Sequence, residues 1–395
     1  MKKIQTYLSP LLFLMLVAPS WLITSCTEDE GGQPVINNVR ITEKDSTIAG
    51  GKFNLVVAVQ GSNLRSVNKV LFNDIEADIN PVYITNTNII VTIPDDAPGA
   101  ITNTITVFTK SGASATFNFQ VVLPEPVVSG VYNEFAPAGS QNKVLGDYFF
   151  LVEKVLVGDT EVEIVKSTDQ EITFVMPSAV GTDKVTVVAA GGTTTSTFRL
   201  NETVGRMINF DIPATGWGSD VCWGDSERVK PEDSDIPVIS GKFARIKQKN
   251  LAATGYQGDW VFSTCWFDFG LTAGSHDQKM FKFEANVVET WKAGQYTIRI
   301  GTDDGGLFIY QFRPWDTNEF RSTGFKTNGW KTFYIPLSDF RKYINDGTTL
   351  VEPVVRIADV SKIRDLRVDF NNAGEGAKTI ASHYVAIDNL RIVDK

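Results

Sequence analysis

Seven tryptophans, Trp217, Trp223, Trp260, Trp266, Trp291, Trp315 and Trp330, crowd the second half of the chain, and none lies between Cys26 and residue 216. An indole combines a rigid apolar face with one N–H donor, which suits it to stack on the flat C–H face of a pyranose ring. The hydroxyls around such a ring need planar amide, carboxylate or guanidinium partners. Both kinds of group recur here on strand-like segments. In Phe308-Ile309-Tyr310-Gln311-Phe312-Arg313-Pro314-Trp315, a period of two turns Phe308, Tyr310 and Phe312 inward and Gln311 and Arg313 outward, with Trp315 outward if the strand direction persists past Pro314. Arg299 points outward against Tyr296, Ile298 and Ile300; Glu284 and Asn286 against Phe283, Ala285 and Val287; Asp369 and Asn371 against Leu366, Val368 and Phe370. Trp217 and Trp223, among glycines and acidic residues, and Trp291, on the turn Thr290-Trp291-Lys292-Ala293-Gly294, read as loop positions. The expected sugar-contacting set is therefore Trp315, Trp291, Trp217, Trp223, Arg313, Gln311, Arg299, Asn286 and Asn371, with Trp315 leading it.

Plainer readings compete with several of these. Outward Arg299, Arg313 and Asp369 equally fit a solvated ladder of ion pairs. Trp330 leads a strand ending in Ile335-Pro336 and reads as core. Trp260 and Trp266 share a parity with Phe262, while Phe267 and Phe269 take the other, so periodicity does not choose their buried face.

The signals for catalysis are thin. His276 and His383 are the two histidines, too few and too widely spaced for a helical zinc motif, and no Gly-x-Ser-x-Gly elbow occurs. A glycosidase needs only two carboxylates, and Asp303-Asp304 beside Gly305-Gly306 is the most suggestive pair. Adjacent strand residues point to opposite faces, however, and the glycines mark a turn. No catalytic residue and no metal site is expected. A structural calcium, of the kind often carried by the galactose-binding-like jelly rolls that the run Trp330 to Phe340 and the closing Ile387 to Ile392 resemble, could draw on Asp388 or Asp211. A surface glycoside hydrolase or lyase, and a structural adhesin without a glycan ligand, remain the alternative functions.

The elements that must position these groups are all β. Runs such as Asn54-Leu55-Val56-Val57-Ala58-Val59, Ile89-Ile90-Val91-Thr92-Ile93 and Val185-Thr186-Val187-Val188 are rich in β-branched residues and bounded by Gly, Pro, Asn and Asp. No long segment carries the helical period. Residues 33–202 repeat internally: Pro34-Val35-Ile36 returns as Pro126-Val127-Val128, Ile89 to Pro94 as Ile172 to Pro177, and Gly61-Ser62-Asn63-Leu64 as Gly146-Asp147-Tyr148-Phe149. That period is the size of one small β-sandwich. After Thr203 aromatics become denser and loops longer, as in one larger β domain.

Residues 1–25 read as a signal peptide: Lys2 and Lys3 precede an apolar run, Leu11 to Val17, that is too short to span a bilayer, and the segment closes on Leu22-Ile23-Thr24-Ser25-Cys26. Cys222 and Cys265 then remain as a possible disulfide or as two free thiols. The formal net charge of −9 gives no electrostatic footprint for nucleic acid or for an anionic lipid surface.

The order aliphatic, small, small, Cys resembles the bacterial lipobox, which implies cleavage before Cys26 and lipidation of that residue. Thr27-Glu28-Asp29-Glu30 resembles the acidic export tag of surface lipoproteins in Bacteroidota. The two repeats resemble the immunoglobulin-like IPT/TIG family. The run Trp330 to Phe340, with its Ile335-Pro336-Leu337-Ser338-Asp339-Phe340 end, and the closing Ile387-Asp388-Asn389-Leu390-Arg391-Ile392 resemble galactose-binding-like jelly rolls. In chain order the whole resembles the surface glycan-binding lipoproteins of Bacteroidota polysaccharide-utilisation systems, with a xyloglucan-binding-type last domain. That resemblance implies a signal at 1–25, an acidic linker at 26–32, IPT/TIG-like sandwiches at 33–123 and 124–202, and a glycan-binding jelly roll at 203–395. It further implies a non-catalytic receptor for a plant-type β-glycan (xyloglucan, mixed-linkage glucan or mannan), lipid-anchored on the outer membrane facing the exterior. Its partners would be an outer-membrane transporter and that transporter's glycan-binding lid lipoprotein, with membrane contact through the lipid alone.

Overall fold

The computed structural model describes residues 32–44, 46–211, 229–230, 233–253, 259–264, 266–345, 347–372 and 378–395, without the side chains of 229, 230 and 259–261. Cys26, Trp217, Trp223, Cys222 and Cys265 lie outside the described residues, as does the side chain of Trp260. The described chain is all β, its only helical pieces being short 3₁₀ turns. It divides into two compact units: residues up to Asp96 with Ile101–Val121, and Ala97–Ala100 with Val122–Lys395.

The first unit is a sandwich of two four-stranded antiparallel sheets. One runs Ser46–Ile48, Val35–Ile41, Val56–Ser62, Asn88–Thr92; the other runs Ile75–Glu76, Val67–Phe72, Thr104–Thr109, Ser114–Asn118. Strict alternation of β-branched residues buries Val57, Val59, Ile89, Val91, Val70 and Phe72 between them.

The second unit begins with a sandwich of the same plan. Val127–Val131, Gln141–Asp147, Glu171–Val175 and Ile164–Ser167 form one sheet; Thr160–Val162, Lys154–Val157, Val185–Ala189 and Gly192–Thr195 form the other. The repeat seen in sequence is thus a repeat in space. Gly61 and Gly146 occupy the same place, where a β-carbon would stand 1.8 Å from the carbonyl oxygen of Val35 or Val127. Two residues later both chains enter the left-handed region, at Asn63 (φ 57°) and Tyr148 (φ 60°). Asparagine tolerates that conformation and tyrosine does not. Tyr148→Gly is therefore expected to raise stability by roughly 1 kcal/mol in urea denaturation; a loss of stability would show that the tyrosine ring has packing that outweighs its backbone strain.

The larger domain stacks a five-stranded sheet on a six-stranded one. The five-stranded sheet runs Val229–Lys230, Phe243–Leu251, Ile380–Asp394, Lys279–Val287, Trp330–Pro336. The six-stranded sheet runs Asp259–Ser263, Ile363–Asn371, Gln295–Thr302, Leu307–Phe312, Arg341–Ile344, Thr349–Leu350. Together they make the jelly roll that the resemblance of the Trp330–Phe340 run and the closing strand implied. Phe281, Phe283, Ala285 and Val287 face Tyr296, Ile298, Ile300, Phe308 and Phe312 across its core.

Much of the outer face of the five-stranded sheet is closed to water, while Lys247 and Lys249 on the Phe243–Leu251 strand stay exposed. Lys282, Glu284 and Asn286 point outward as the period of two requires, yet all three are buried. One part of that face is sealed by the second sandwich. Lys282 Nζ donates to Glu134 Oε1 at 2.8 Å, and Arg391 spans Glu134 Oε2 at 2.5 Å and Glu284 Oε2 at 2.9 Å. The Glu134 amide donates to Thr332 Oγ1 at 2.8 Å, and Tyr334 Oη bonds both the amide and the carbonyl of Val131. Another part is covered by the loop around Ile236, which packs with Phe243, Trp330 and Tyr384. Asn286 is consequently no sugar contact: it takes the outward face that the period of two assigns it, and there it is buried at 4% exposure, between Trp330 and Ala386.

Candidate functional site

With the centre of one jelly-roll face covered, the outer face of the six-stranded sheet presents exposed Gln311 and half-buried Gln295, Arg299, Arg367 and Asn371. Register sets them in rungs. Gln295 stands opposite Asn371; Thr297 lies between Asp369 and Gln311; Arg299 lies between Arg367 and Ile309; Gly301 lies between Asp365 and Leu307. Trp260 stands across from Asp369 on the edge strand. Toward the other edge Arg341 and Tyr343 pair with Ile309 and Leu307. Arg299, Gln311 and Asn371, expected on one face from parity, are brought together there.

Arg299 and Asp369 form an ion pair, Nε to Oδ2 at 2.8 Å. The second carboxylate oxygen of Asp369, although buried, has no hydrogen-bond partner among the described residues. Burial raises the Asp369 carboxyl, and the Arg299 hydrogen bond opposes that shift. Two rungs along, Thr264 Oγ1 donates to Asp365 Oδ1 at 3.0 Å, and burial likewise raises that carboxyl. Of the expected ion-pair ladder, the Arg299–Asp369 pair forms on the same face as the polar platform, and it holds the Arg299 guanidinium against the sheet.

The most exposed aromatic among the described residues at this face is Trp266. It is 54% exposed and sits in the left-handed region at φ 47°, where a bulky side chain is strained. Its ring lies over the end of the polar face, 3.8 Å from where a β-carbon on Gly301 would be. Glycine at 301 leaves that part of the sheet flat. Past Ser263 the Thr264 amide still donates to the Leu366 carbonyl and the Phe267 amide to the Arg364 carbonyl, and the left-handed backbone of Trp266 between them takes its side chain off the strand parity. Parity along the chain could not place Trp266 for that reason.

Trp315 and Trp291 are in the opposite situation. Trp315 is 5% exposed and donates from Nε1 to the Gly294 carbonyl at 2.7 Å; Trp291 is 1% exposed and donates to the Ala293 carbonyl at 2.8 Å. Both belong to the jelly-roll core, where Trp291 packs edge-on against Tyr296 at 5.0 Å. The expectation that they form a solvent-facing platform is corrected. Past Pro314 the chain turns inward, and loop carbonyls around Gly294 satisfy both indole N–H groups, which removes the cost of sealing them. Trp330 is core, as its strand suggested, with its N–H on the Pro237 carbonyl. Arg313 lies past the strand end and faces Asp316 at 3.8 Å, while Asp316 also accepts from Arg321 Nε at 3.0 Å.

The most suggestive acid pair serves a turn. Asp304 Oδ1 accepts from Thr302 Oγ1 and from the Gly306 amide, hydrogen bonds that hold its carboxyl below the usual range. Asp303 faces Arg364 at 3.5 Å and Lys362 at 3.7 Å. Asp388 accepts from Ser240 Oγ at 2.7 Å, and Asp211 accepts from the Lys242 amide at 2.7 Å. Among the described residues no group of three or more His, Cys, Asp or Glu side chains is placed to hold a metal, and no helix is long and apolar enough to cross a membrane.

Comparison with known proteins agrees with this architecture. Residues 198–394 match the family model described as the surface glycan-binding protein B xyloglucan binding domain, and residues 35–121 match the IPT/TIG domain. An IPT/TIG domain-containing protein of Bacteroides ovatus is 30% identical over 192 residues, which cover 44% of this chain and 39% of that protein. The chain therefore spans about two fifths of the length of that curated relative. Among solved structures, surface glycan-binding protein PbSGBP-B from Prevotella bryantii superposes with a TM-score of 0.70 at 23% identity, over 92% of this chain and 99% of that one. An SGBP-B from a complex xyloglucan utilization locus in Bacteroides uniformis covers 92% of this chain and 100% of its own, at 20% identity and a TM-score of 0.48.

Proposed function

We propose, starting from a chain that belongs to the surface glycan-binding protein B family through residues 198–394, that it is a non-catalytic receptor capturing a plant-type β-glycan at the cell surface. Xyloglucan, mixed-linkage glucan and mannan all present the stackable faces and equatorial hydroxyls that the site can take. The observation that carries the reading is the exposed indole of Trp266 at the end of a polar sheet face. In that arrangement Trp266 stacks on a ring, and Arg299, Gln311 and Asn371 take hydroxyls along the sheet. Lipidation at Cys26 would hold the receptor on the outer membrane, and an outer-membrane transporter with its glycan-binding lid lipoprotein would receive the captured chain.

The test is affinity electrophoresis and calorimetry of the chain with xyloglucan, mixed-linkage glucan and mannan. Trp266→Ala is expected to weaken binding of the preferred polymer roughly tenfold or more, as removal of a central aromatic does, with an unchanged melting temperature. Unchanged affinity would remove Trp266 from the site. New reducing ends or unsaturated products on prolonged incubation would replace the receptor with a hydrolase or lyase.

A further inference from the structure

Where the second sandwich meets the jelly roll, within the second compact unit, the two domains enclose a groove of about 430 Å³. That volume falls inside the ~300–1,000 Å³ typical of small-molecule sites. Its walls run against the charge of the whole chain. A protein of formal charge −9 places Lys184, Arg199, Lys279 and Lys282 in this lining against two carboxylates, Glu202 and Asp394. An excess of one sign of charge in a cleft favours ligands of the opposite sign.

The four cations differ in their commitments. Lys282 is spent on Glu134, as described above. Lys279, with a side chain only 6% exposed, holds Asp394 Oδ1 at 2.8 Å and Thr272 Oγ1 at 2.9 Å. Asp394 is itself 81% exposed, so an exposed carboxylate of the chain already rests on a buried ammonium at the groove wall. Arg199 is fixed at the rim by donating from Nη1 to the Thr182 carbonyl at 3.1 Å, which leaves further guanidinium donors for another acceptor. Among the described residues neither Arg199 nor Lys184 has an ion pair. Threonine hydroxyls from both domains and the apolar side chains of Val204 and Leu271 complete the walls.

We infer that this groove is a second binding site, separate from the Trp266 face, for an acidic sugar: a hexuronate unit, free or within a polysaccharide. Its carboxylate meets the Lys184 and Arg199 pair and competes with Asp394 for Lys279. The threonines take ring hydroxyls, and Val204 and Leu271 cover a C–H face. Arginine suits this role because its planar fork matches a carboxylate.

Titration of the whole chain with an oligogalacturonate, a glucose oligosaccharide of equal length and inorganic phosphate tests the assignment. The oligogalacturonate is expected to bind with an affinity that falls at least tenfold in Lys184→Ala/Arg199→Ala, rises several-fold in Asp394→Asn, and stays unchanged in Trp266→Ala. The two surface substitutions leave the melting temperature in place, so loss of binding is not loss of fold. No oligogalacturonate binding, an affinity indifferent to the double substitution, or phosphate competing as well as the oligogalacturonate would overturn it. Loss of neutral-glucan binding in Trp266→Ala reads out the sheet face separately.

Discussion

Glu134→Ala is expected to destabilise the second unit by about 3–5 kcal/mol, the range for breaking one arm of a buried ion-pair network. Glu134 and Glu284 balance Lys282 and Arg391, and both Arg391 pairs have side chains with 0% exposure. Removing one carboxylate leaves a net positive charge in a place without water to solvate it. Arg391 cannot release its proton, and it keeps that proton more firmly here than in water because two carboxylates outweigh the effect of burial. Lys282 is the group that can relieve the site. Burial already lowers its pKa, and Glu134 is the main influence opposing that shift. The variant should therefore lose less stability at alkaline pH, where Lys282 sheds its proton, than at neutral pH. Urea denaturation of wild type and variant at the two pH values measures both effects. A loss below about 1 kcal/mol, the value of an exposed pair, would mean that water reaches the cluster. The same network implies that the jelly roll severed from the second sandwich would carry Arg391, Lys282 and Tyr334 on a bare surface, so ligand measurements belong on the whole chain.

Asp388→Asn is expected to stabilise the protein above neutral pH and to leave it more acid-labile than wild type. Burial, with the charges of Glu284 and Asp211 adding to it, pushes the Asp388 carboxyl up from 3.8 to about 7. The folded state thus holds that proton more tightly than the unfolded chain. Asp388 contributes stability that is present in full below 3.8 and lost as pH rises through about 7, on the order of 4 kcal/mol at 1.36 kcal/mol per unit. His383 works in the other direction. Its ring is sealed against Phe370, stacked at 4.0 Å, with Nε2 on the Tyr296 hydroxyl at 3.0 Å, and burial pushes its pKa down from 6.5 to about 3. Its contribution is present above 6.5 and lost as pH falls toward about 3. Between 6.5 and 3.8 the two slopes oppose each other and largely cancel in the wild type. Removing the Asp388 proton site unmasks the histidine, so the variant should lose about 1.4 kcal/mol per pH unit on acidification through this window. Denaturant midpoints across that range give the difference between variant and wild type; a difference that does not vary with pH would place Asp388 in contact with water.

Periodicity and turn chemistry carried most of the fold. The glycines at 61 and 146 and the left-handed positions two residues beyond them follow from a repeat readable in the chain, because close backbone approach and turn geometry are demands on single residues. Alternation along Gln295–Thr302, Leu307–Phe312 and Ile363–Asn371 correctly turned Tyr296, Ile298, Ile300, Phe308 and Phe312 inward and Arg299, Gln311, Asp369 and Asn371 outward. A period of two states which side of a sheet a residue takes; it does not state what stands on that side. Asn286 faces outward and is buried there between Trp330 and Ala386, and the pair that helps close that face, Glu134 and Arg391, is separated by 257 positions in the chain. The tryptophans divide on the same principle. Trp315 and Trp291 went into the core because loop carbonyls near Gly294 take their N–H groups, and Trp266 came out because its left-handed backbone interrupts the alternation of the strand before it. Composition alone announced that this module is rich in indole, since residue content is a property of the chain; which indole meets water was decided by tertiary hydrogen bonds, since burial depends on partners that local sequence does not contain.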